Sequence, residues 1–462
     1  MAATHRPLTA PLLKLLDREL GPGALTLDRD CLETAARDAT TLSCLPEAVV
    51  RAKNSRQVQT LLRLASAHGF PVTPRGAGTG LAGGALAVQG GVVLDLSAMD
   101  RILELDPADM VAVVEPGVVT ARLRQAAEEL DLFYPPDPAS LGESTLGGNA
   151  ATNAGGPACV KYGTTRNYVL GCEAVLPSGE LVTTGTRTRK GVVGYDLTQL
   201  LVGSEGTLAV ITGLVLKLVP RPRAVLAQSA VFTSLDQAMQ AVSAIMAGGV
   251  TPSAVEFLDG RCLQLIQDLL PVDAPPPGSS LLLLETDGAS PGQTREDMER
   301  IIEVCRSQGA LHILPAPDEA SRQSMWEVRR QVSLRIHERW PVYVPEDVAL
   351  PLGRIAAFVR QLPELEQELG CTIYAFGHAG DGNIHVNITA AQEHDPGKVE
   401  ATVRGLLERV LALQGTISGE HGVGMAKKRF LDLEIGPASL ALQSGLKQLF
   451  DPKNILNPGK IF

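Results

Sequence analysis

The pattern of apolar and polar residues near the N-terminus predicts a helix over residues 55–68. Its apolar positions recur every three or four residues, as on one face of a helix, at Val58, Leu61, Leu62 and Ala65. Ser55 is predicted as the N-cap, because its hydroxyl can accept a hydrogen bond from the first turn. Gly69 is predicted to end the helix, since glycine readily adopts the left-handed conformation found there.

After this helix the pattern changes to short apolar runs separated by glycine, proline and asparagine. The runs predict β-strands over 92–96, 111–115, 169–176 and 208–219. Over roughly the next hundred residues, only 120–130 has helical spacing. The stretch Val219-Pro-Arg-Pro-Arg then predicts a domain boundary.

Beyond this boundary, longer helical patterns alternate with short strands. Helices are predicted over 235–247, 295–308, 319–338, 351–369 and 397–413, and strands over 281–285, 343–344, 372–376 and 384–388. The proline-rich run 273–278 predicts a surface loop. Helices grouped around a short sheet indicate a separate α+β domain.

Composition and charge narrow the function classes. The chain has 462 residues, 45% of them hydrophobic, which is enough for a substantial core in roughly three domain-sized units. Its net charge of −10 disfavours nucleic-acid binding. Two small basic clusters, around Arg189 and Lys428, are interpreted as solvated surface.

The seven cysteines are scattered along the chain and form no Cys-x-x-Cys pair. Their spacing argues against an iron–sulfur cluster, a zinc ribbon or a disulfide framework, and it favours a reducing compartment. No apolar run reaches the length of about 18 residues that a membrane-spanning helix needs, and the N-terminus lacks the apolar run of a signal peptide. We therefore expect a soluble cytoplasmic protein.

The densest glycine cluster lies between Pro74 and Gly84. Residues 78–83 formally match the dinucleotide-binding pattern G-x-G-x-x-G. A Rossmann site needs a strand before the glycines and a helix after them, whereas Pro71 and Pro74 interrupt the preceding run and another strand is predicted afterwards. A P-loop is excluded because no Lys-Ser or Lys-Thr follows. The loop is either a backbone cradle for an anion or a flexible connector.

Two further glycine-rich segments favour the cradle. Residues 135–156 combine glycines with small and amide side chains, and residues 200–208 place a glycine-flanked turn before a strand. Segments of this composition cannot fill a core alone, but they can surround a large polar ligand with backbone and hydroxyl contacts.

The segment 376–388 contains two of the eight histidines, on either side of a Gly-Asp-Gly-Asn turn. An apolar strand enters this turn and an alternating strand leaves it, which predicts a hairpin with His378 and His385 on one face. Two such imidazoles can share a divalent metal ion, although a pair of solvated or core histidines has the same pattern. Glu420, which lies close to glycines, could complete a site of two histidines and one carboxylate. The next residue, His421, could act as a general base if it is not a ligand.

Together, the three glycine-rich segments resemble the FAD-binding domain of the vanillyl-alcohol-oxidase-type flavoproteins. The C-terminal half resembles the branch that contains D-lactate dehydrogenases, glycolate oxidase D subunits and D-2-hydroxyglutarate dehydrogenases, and the likeness spans about residues 40–462. The resemblance implies an α+β fold with an FAD-binding domain (1–220) and an inserted, ferredoxin-like α+β domain for substrate and metal (221–415). A C-terminal helical segment (416–462) is expected to return to the FAD domain.

The resemblance also implies which residues contact FAD. They lie in the three glycine-rich segments and in the strand that follows the third, at Arg75, Gly76, Gly78, Thr79, Gly80, Thr145, Gly148, Asn149, Asn153, Gly156, Glu205 and Ile211. Covalently flavinylated relatives often carry a histidine about where this chain has Thr79. The resemblance therefore implies non-covalent FAD.

In the C-terminal half, the resemblance implies that His378, His385 and Glu420 bind zinc or manganese. It also implies that His421 takes the proton of the substrate hydroxyl while a hydride passes from the substrate to the flavin. Substrate, metal and base would then meet in a single site.

The segment Trp326-Glu-Val-Arg329 resembles the family motif whose arginine binds the substrate carboxylate. Asn383 is a further candidate for substrate binding. Arg329 could instead be an ordinary surface cation of its helix, and three neighbouring arginines compete for the same role: Arg330, Arg335 and Arg339.

Hydroxyglutarate-type relatives carry a lysine just before the strand motif Asp-x-x-x-Pro, suited to a second carboxylate. The corresponding stretch of this chain, 344–351, has no lysine, which favours a small monocarboxylate such as D-lactate or glycolate. The leading interpretation is an FAD-dependent, metal-assisted D-2-hydroxy-acid dehydrogenase. Its electrons would pass to a separate acceptor, namely a quinone, a cytochrome or an electron-transfer flavoprotein, and peripheral membrane association through that acceptor is an option.

Several alternatives remain open from the sequence. Within the same branch, the chain could be the catalytic D subunit of a glycolate oxidase complex or a D-2-hydroxyglutarate dehydrogenase. From other classes, a metal-dependent hydrolase would use the two histidines and Glu420 but leaves the glycine clusters unexplained, and a non-enzymatic flavin or metal carrier would bind flavin without substrate reduction. The oligomeric state is open, with a homodimer among the alternatives.

Overall fold

The computed structural model describes residues 5–270, 275–391 and 396–462. Its α-helices over these ranges are α1 Ala10–Leu20, α2 Arg29–Ala35, α3 Ser55–His68, α4 Thr120–Glu128, α5 Leu146–Thr152, α6 Cys159–Tyr162, α7 Leu197–Leu201, α8 Leu235–Ala247, α9 Gly260–Leu265, α10 Pro291–Ser307, α11 Glu319–Arg339, α12 Ile355–Val359, α13 Leu362–Leu369, α14 Pro396–Ala412, α15 Leu431–Glu434 and α16 Pro437–Phe450.

The β-strands over the same ranges are β1 Leu25–Thr26, β2 Ala48–Arg51, β3 Val72–Arg75, β4 Val92–Asp95, β5 Ile102–Asp106, β6 Val111–Val114, β7 Leu132–Phe133, β8 Val169–Val175, β9 Leu181–Gly185, β10 Val210–Lys217, β11 Val219–Pro220, β12 Ala224–Phe232, β13 Ala254–Leu258, β14 Ser280–Gly288, β15 Ala310–Ala316, β16 Val342–Ala349, β17 Thr372–His378 and β18 Asn383–Ala390.

The first of two compact units contains residues 1–155, 164–220 and 421–462. Its four-stranded sheet has the order β1-β2-β4-β3, with β2, β4 and β3 parallel, and its five-stranded antiparallel sheet has the order β5-β6-β10-β8-β9. Helices α1 and α3 pack their apolar faces on the parallel strands, in a core that includes Leu16, Leu61 and Leu94. This scaffold carries the first glycine loop between β3 and β4.

The second unit contains residues 156–163 and 221–420. Its seven-stranded antiparallel sheet has the order β15-β12-β14-β13-β17-β18-β16. Helices α9 and α11 pack on this sheet through a core that includes Leu283, Val332 and Ile336. Residues 416–420, which the sequence assigns to the returning C-terminal segment, are grouped with this unit. The domain bounds given in the sequence analysis remain a prediction.

The helix over 55–68 is confirmed, but its predicted N-cap is wrong. The cap is Asn54, whose side chain accepts a hydrogen bond from the amide of Gln57, and Ser55 is the first helical residue. Asparagine and serine cap equally well, so the pattern alone did not separate two adjacent candidates. Gly69 ends the helix in the left-handed conformation, as predicted.

Three other predicted elements need correction. Helix α5 lies in a region where only 120–130 was predicted as helical, because its glycines, asparagine and threonine have low helix propensity. Strand β3 forms despite Pro74, because it is the edge strand of its sheet and proline there removes no ladder hydrogen bond within that sheet. The helix predicted over 351–369 is divided into a 3₁₀ turn, α12 and α13, with Pro363 in the first turn of α13.

Over the described part of the chain, no helix combines the length and the apolar character needed to cross a membrane. The predicted surface loop at 273–278 begins with two residues, 273 and 274, that lie outside the described ranges.

Candidate active site

The first glycine loop packs against the start of helix α5 in the first unit. A Cβ atom added to Gly76 would overlap the side-chain hydroxyl of Thr145, so only glycine fits there. The same hydroxyl accepts a hydrogen bond from the amide of Gly148 at 3.3 Å and caps α5. Gly78 has a φ of 77°, a left-handed conformation that favours glycine. The first two glycine-rich segments therefore meet through backbone and hydroxyl groups.

The third glycine-rich segment joins the other end of α5. The amides of Gly203 and Glu205 donate hydrogen bonds to the carbonyls of Ala150 and Ala151, at 2.9 and 2.7 Å. The side-chain amide of Asn457 then ties this segment to the first loop, since it donates to the carbonyls of Gly84 and Glu205. We call residues 76–80, 145–153 and 203–206 the glycine cradle.

Most predicted FAD contacts lie in the glycine cradle or next to it, and several of their side chains are already bonded within the protein. Asn149 donates to the hydroxyl of Thr120 at 2.7 Å, and Asn153 accepts from the amide of Arg166 at 2.8 Å. Arg75 ends β3, and Ile211 is buried in β10. Gly156 belongs to the segment that is grouped with the second unit, so its predicted role is not tested by this arrangement.

A cleft of about 800 Å³ opens beside the first loop. Its walls include Ala77, Gly78 and Thr79 of the loop and the arginines Arg37 and Arg75. Four acidic residues also line it: Asp30, Glu33, Asp38 and Glu143. Backbone amides that approach closely at glycines, next to two guanidinium groups, suit the pyrophosphate of a dinucleotide. The residues of this region therefore fit FAD.

The predicted hairpin is formed by β17 and β18 in the second unit. His378 lies opposite Asn383 in the register, and Phe376 lies opposite His385, so the two histidines are diagonal neighbours on one face. Their ring centroids are 5.2 Å apart with nearly perpendicular planes. The hairpin thus brings the two imidazoles together as expected.

Glu420 completes a cluster that could hold a metal ion. One oxygen of its carboxylate lies 3.5 Å from His378 Nε2 and 3.6 Å from His385 Nε2. Ligands at about 2.0–2.1 Å from a tetrahedral zinc ion lie roughly 3.4 Å from one another, which is close to these separations. We call His378, His385 and Glu420 the donor set, and its chemistry fits zinc or manganese.

A fully buried carboxylate stands behind His378. The Nδ1 atom of His378 donates to Glu256, on β13, whose other oxygen accepts from Nε of Arg329 at 2.7 Å. Burial raises the pKa of Glu256, but the charges of His378 and Arg329 outweigh it and hold that pKa at about 2. For His378, burial lowers the pKa, but the carboxylates of Glu256 and Glu420 outweigh burial and raise the pKa well above its ordinary value.

Arg329 is the only one of the four competing arginines found bonded to this cluster in the described residues. Its guanidinium stacks on the ring of Phe376 at 4.3 Å as well as bonding Glu256. Arg330 bonds Glu327 at the surface of α11, and Arg335 bonds Asp268. The guanidinium of Arg339 lies 5.9 Å from the ring of Trp340.

Asn383 is bonded to a second buried carboxylate. Its side-chain amide donates to Asp347 and to the carbonyl of Val348, while its own oxygen has no protein partner. Its predicted role in substrate binding stays a prediction.

His421 begins the returning segment of the first unit, directly after Glu420. The turn that follows it is fixed by Glu205, whose carboxylate accepts from the amides of Val423 and Gly424 at 2.8 and 2.7 Å. Burial raises the pKa of Glu205, while the two amides oppose this rise. The carboxylate of Glu205, for which a contact with FAD is predicted, is therefore already hydrogen-bonded to two backbone amides of the first unit.

Sequence reasoning missed two residues of the second unit that face the cluster, Glu256 and Asp347, and a third buried polar residue on the strand of His385, Asn387. Asn387 follows His385 by two residues on β18, so the two share a face, and its buried amide nitrogen has no protein partner. The alternation Asn-x-His-x-Asn over 383–387 was a signal for Asn387. Glu256 lies far away in the sequence and carried no local signal. Asp347 is the aspartate of the Asp-x-x-x-Pro motif at 347–351, which was considered only for the lysine that precedes it in relatives.

The chain matches two described families. Residues 221–461 match the C-terminal domain of FAD linked oxidases, and residues 46–185 match an FAD binding domain. Among curated proteins, glycolate oxidase subunit GlcD of Bacillus subtilis is 39% identical over 421 residues, which cover 90% of this chain and 89% of that protein.

Two other relatives carry different names. D-lactate dehydrogenase of Anaerostipes hadrus is 36% identical over 459 residues, and D-2-hydroxyglutarate dehydrogenase of Stutzerimonas stutzeri is 35% identical over 453 residues. Each alignment covers 96% of both chains.

Solved structures share the fold at low identity. p-Cresol methylhydroxylase with bound substrate has a TM-score of 0.80 at 17% identity, covering 100% of this chain and 98% of its own. 4-Ethylphenol oxidase from Gulosibacter chungangensis has a TM-score of 0.76 at 17% identity, covering 99% and 98%. These likenesses concern the fold alone.

Proposed function

The chain belongs to the family of FAD-linked oxidases, and from this premise we propose that it is an FAD-dependent, divalent-metal-assisted D-2-hydroxy-acid dehydrogenase. The resemblance to this family, the α+β fold and the class of enzyme are confirmed. The proposed substrate is a small monocarboxylate such as D-lactate, which is oxidised to a 2-oxo acid. The observation that carries the proposal is the donor set, in which two Nε2 atoms and one carboxylate oxygen converge.

When bound, FAD supplies the hydride acceptor, and the metal ion supplies a Lewis acid that lowers the pKa of the substrate hydroxyl. The protein's own side chains bind the metal ion, accept the proton and bind the substrate carboxylate. The donor set holds the metal ion, and His421 accepts the hydroxyl proton as general base. Arg329 uses one N–H for Glu256 and retains four N–H donors on its terminal nitrogens, with which it binds the substrate carboxylate.

The preference for a monocarboxylate is supported by strand β16 and its flanks. The stretch 344–351 contains no lysine or arginine that could pair with a second carboxylate of a longer substrate. Relatives named for D-lactate, glycolate and D-2-hydroxyglutarate are similarly distant in identity, so their names alone do not choose among substrates.

The electron pair leaves to an external acceptor, for which a quinone, a cytochrome and an electron-transfer flavoprotein are the candidates. We also propose non-covalent FAD, because Thr79 offers no imidazole for covalent attachment. A cytoplasmic location fits the scattered, free cysteines.

The test is the visible absorption spectrum of the purified protein, followed by anaerobic addition of D-lactate. We expect a flavin band that bleaches, which establishes cofactor and reaction together. A flavin band that persists with D-lactate but bleaches with D-2-hydroxyglutarate would contradict the proposed substrate class. A protein resupplied with FAD that shows no flavin band, but hydrolyses esters or amides when given Zn²⁺, would favour the hydrolase.

The second candidate is the catalytic D subunit of a glycolate oxidase complex, which the 39% identity to GlcD favours. It predicts a higher kcat/KM for glycolate than for D-lactate, and steady turnover only with partner subunits present. The leading proposal predicts turnover of the isolated chain with D-lactate and an artificial acceptor. Measuring both substrates with and without partners separates the two.

A further inference from the structure

The two histidines of the donor set lie on β17 and β18, the inner pair of four adjacent strands in the order β13, β17, β18 and β16. In the register of these antiparallel strands, Glu256 lies directly opposite His378, and Asp347 lies directly opposite His385. Directly opposed residues project from the same face of a sheet. Each imidazole therefore has its own carboxylate on the outer neighbouring strand.

The two carboxylates are completely buried, which is uncommon for acidic side chains and indicates dedicated partners. Glu256 accepts from Nδ1 of His378 with one oxygen and from Nε of Arg329 with the other. This bond fixes the ring of His378 with its Nε2 atom toward Glu420. Glu256 thus links one member of the donor set to the arginine proposed to bind substrate.

Asp347 acts on the other two members of the donor set. One of its oxygens lies 3.9 Å from Nδ1 of His385, and the other accepts hydrogen bonds from the amides of Gly419 and Glu420 at 2.8 and 2.7 Å. These two hydrogen bonds fix the backbone from which the Glu420 side chain extends. A Cβ atom added to Gly419 would overlap the amide of Asn383, itself bonded to Asp347, so the turn is closely packed.

We propose that Glu256 and Asp347 are positioning residues for the metal site, with divided roles. Glu256 orients His378 and, through Arg329, couples the metal site to recognition of the substrate carboxylate. Asp347 orients Glu420 through its backbone and faces His385. The inference rests on the proposed function, because it assigns the donor set to a metal ion. In general, a carboxylate bonded to the second nitrogen of a ligating histidine fixes the ring and strengthens metal binding.

The chain offers a matched control for the loss of a buried carboxylate. Asp259 lies one residue beyond the end of β13, and its carboxylate accepts from the amides of Cys262 and Ala375 at 2.8 and 2.9 Å. It is 8% exposed, and over the described residues its carboxylate bonds these amides rather than the donor set. Asp259→Asn therefore measures how the loss of a buried carboxylate away from the donor set affects folding.

The experiment compares Glu256→Gln, Asp347→Asn and Asp259→Asn in the FAD-loaded protein. Zn²⁺ affinity is measured by competition with a chromophoric chelator, together with the melting temperature and the KM and kcat for D-lactate. We expect Zn²⁺ affinity to fall by about 10- to 100-fold in Glu256→Gln and Asp347→Asn and to stay within about twofold in Asp259→Asn. Glu256→Gln also raises KM by roughly tenfold, whereas Asp347→Asn lowers mainly kcat at saturating Zn²⁺.

Wild-type Zn²⁺ affinity in the first two variants would overturn the inference, as would an equal loss in Asp259→Asn. Zn²⁺ affinity is measured without turnover, so the two proposals fail separately. Weakened Zn²⁺ binding in a protein whose flavin no hydroxy acid reduces would retain the positioning roles and reject the proposed function. Turnover of D-lactate with normal Zn²⁺ affinity in both variants would retain the proposed function and reject the positioning roles. A wild-type chain that binds no divalent metal ion would overturn both proposals.

Discussion

The glycine cradle is built mainly from backbone groups, whereas the donor set is built from side chains. In the cradle, segments meet through amides, carbonyls and one threonine hydroxyl, and the key positions are those where a side chain is missing. In the donor set, the backbone forms ordinary antiparallel strands and the chemistry lies in side chains that the register aligns. The first site should therefore be most sensitive to an added methyl group at a glycine, and the second to the loss of a donor side chain.

The largest effect is expected at the proposed base. His421→Ala should retain FAD and metal but slow flavin reduction by about 10²- to 10⁴-fold, because the proton of the substrate hydroxyl loses its acceptor. Stopped-flow absorbance with D-lactate measures this rate. His337→Ala, which removes an exposed histidine of α11, is the control. Rapid reduction in His421→Ala would remove this residue as the base.

Removal of one proposed metal ligand should have the next largest effect. His385→Ala should lower the metal content to near zero and slow flavin reduction by at least about a hundredfold, because Lewis-acid stabilisation of several kcal/mol is lost. The flavin spectrum should persist, because the cradle lies in the other unit. Elemental analysis gives the metal content, with the exposed His312→Ala as control. One metal ion per chain in His385→Ala would contradict the donor set.

In the cradle, the damaging change is an added methyl group. Gly76→Ala places a Cβ atom on the hydroxyl of Thr145 and should weaken FAD binding by at least about tenfold, equivalent to roughly 1.4 kcal/mol. Fluorescence titration of the apoprotein with FAD measures the affinity. Gly142→Ala is the matched control, because nothing lies within 4 Å of its added Cβ. Equal FAD affinity in both variants would contradict the role of the cradle.

The smallest effect is expected when a cradle side chain is removed. Asn149→Ala breaks the hydrogen bond to Thr120, whose hydroxyl keeps its contacts with Ser144. The free energy of unfolding should fall by about 1 kcal/mol, and FAD affinity should change less than in Gly76→Ala. Urea denaturation measures the first quantity. A loss of FAD binding as large as that of Gly76→Ala would mean that side chains also build the cradle.

Local patterns were sufficient for much of the fold and for part of the donor set. The hairpin of β17 and β18 was predictable because strand alternation and turn chemistry lie within a few residues of each other. Helix α5 was not, because its stability comes from the Thr145 cap and from tertiary packing rather than from helix propensity. The cap at Asn54 instead of Ser55 illustrates the uncertainty of one residue at helix ends.

Of the two carboxylates that face the histidines, Glu256 could not be predicted from local patterns. Glu256 lies 122 residues from its partner His378, and only the strand order places β13 next to β17. In the sequence, a glutamate within an apolar strand has no feature that distinguishes an edge position from a buried one. The resemblance to a known family supplied the proposed ligands and the motif that contains Asp347, but it gave no role to either carboxylate.

The order of residues along the second unit also sets when its proposed metal site can form during synthesis of the chain. Glu256 emerges early, Asp347 and the two histidines follow, and Glu420 comes last. A nascent or truncated chain that ends shortly before Glu420 contains every strand of the antiparallel sheet but lacks the third donor. On the proposed function, metal binding by the full donor set is therefore a late event in biosynthesis, and metal content would distinguish finished molecules from incomplete ones.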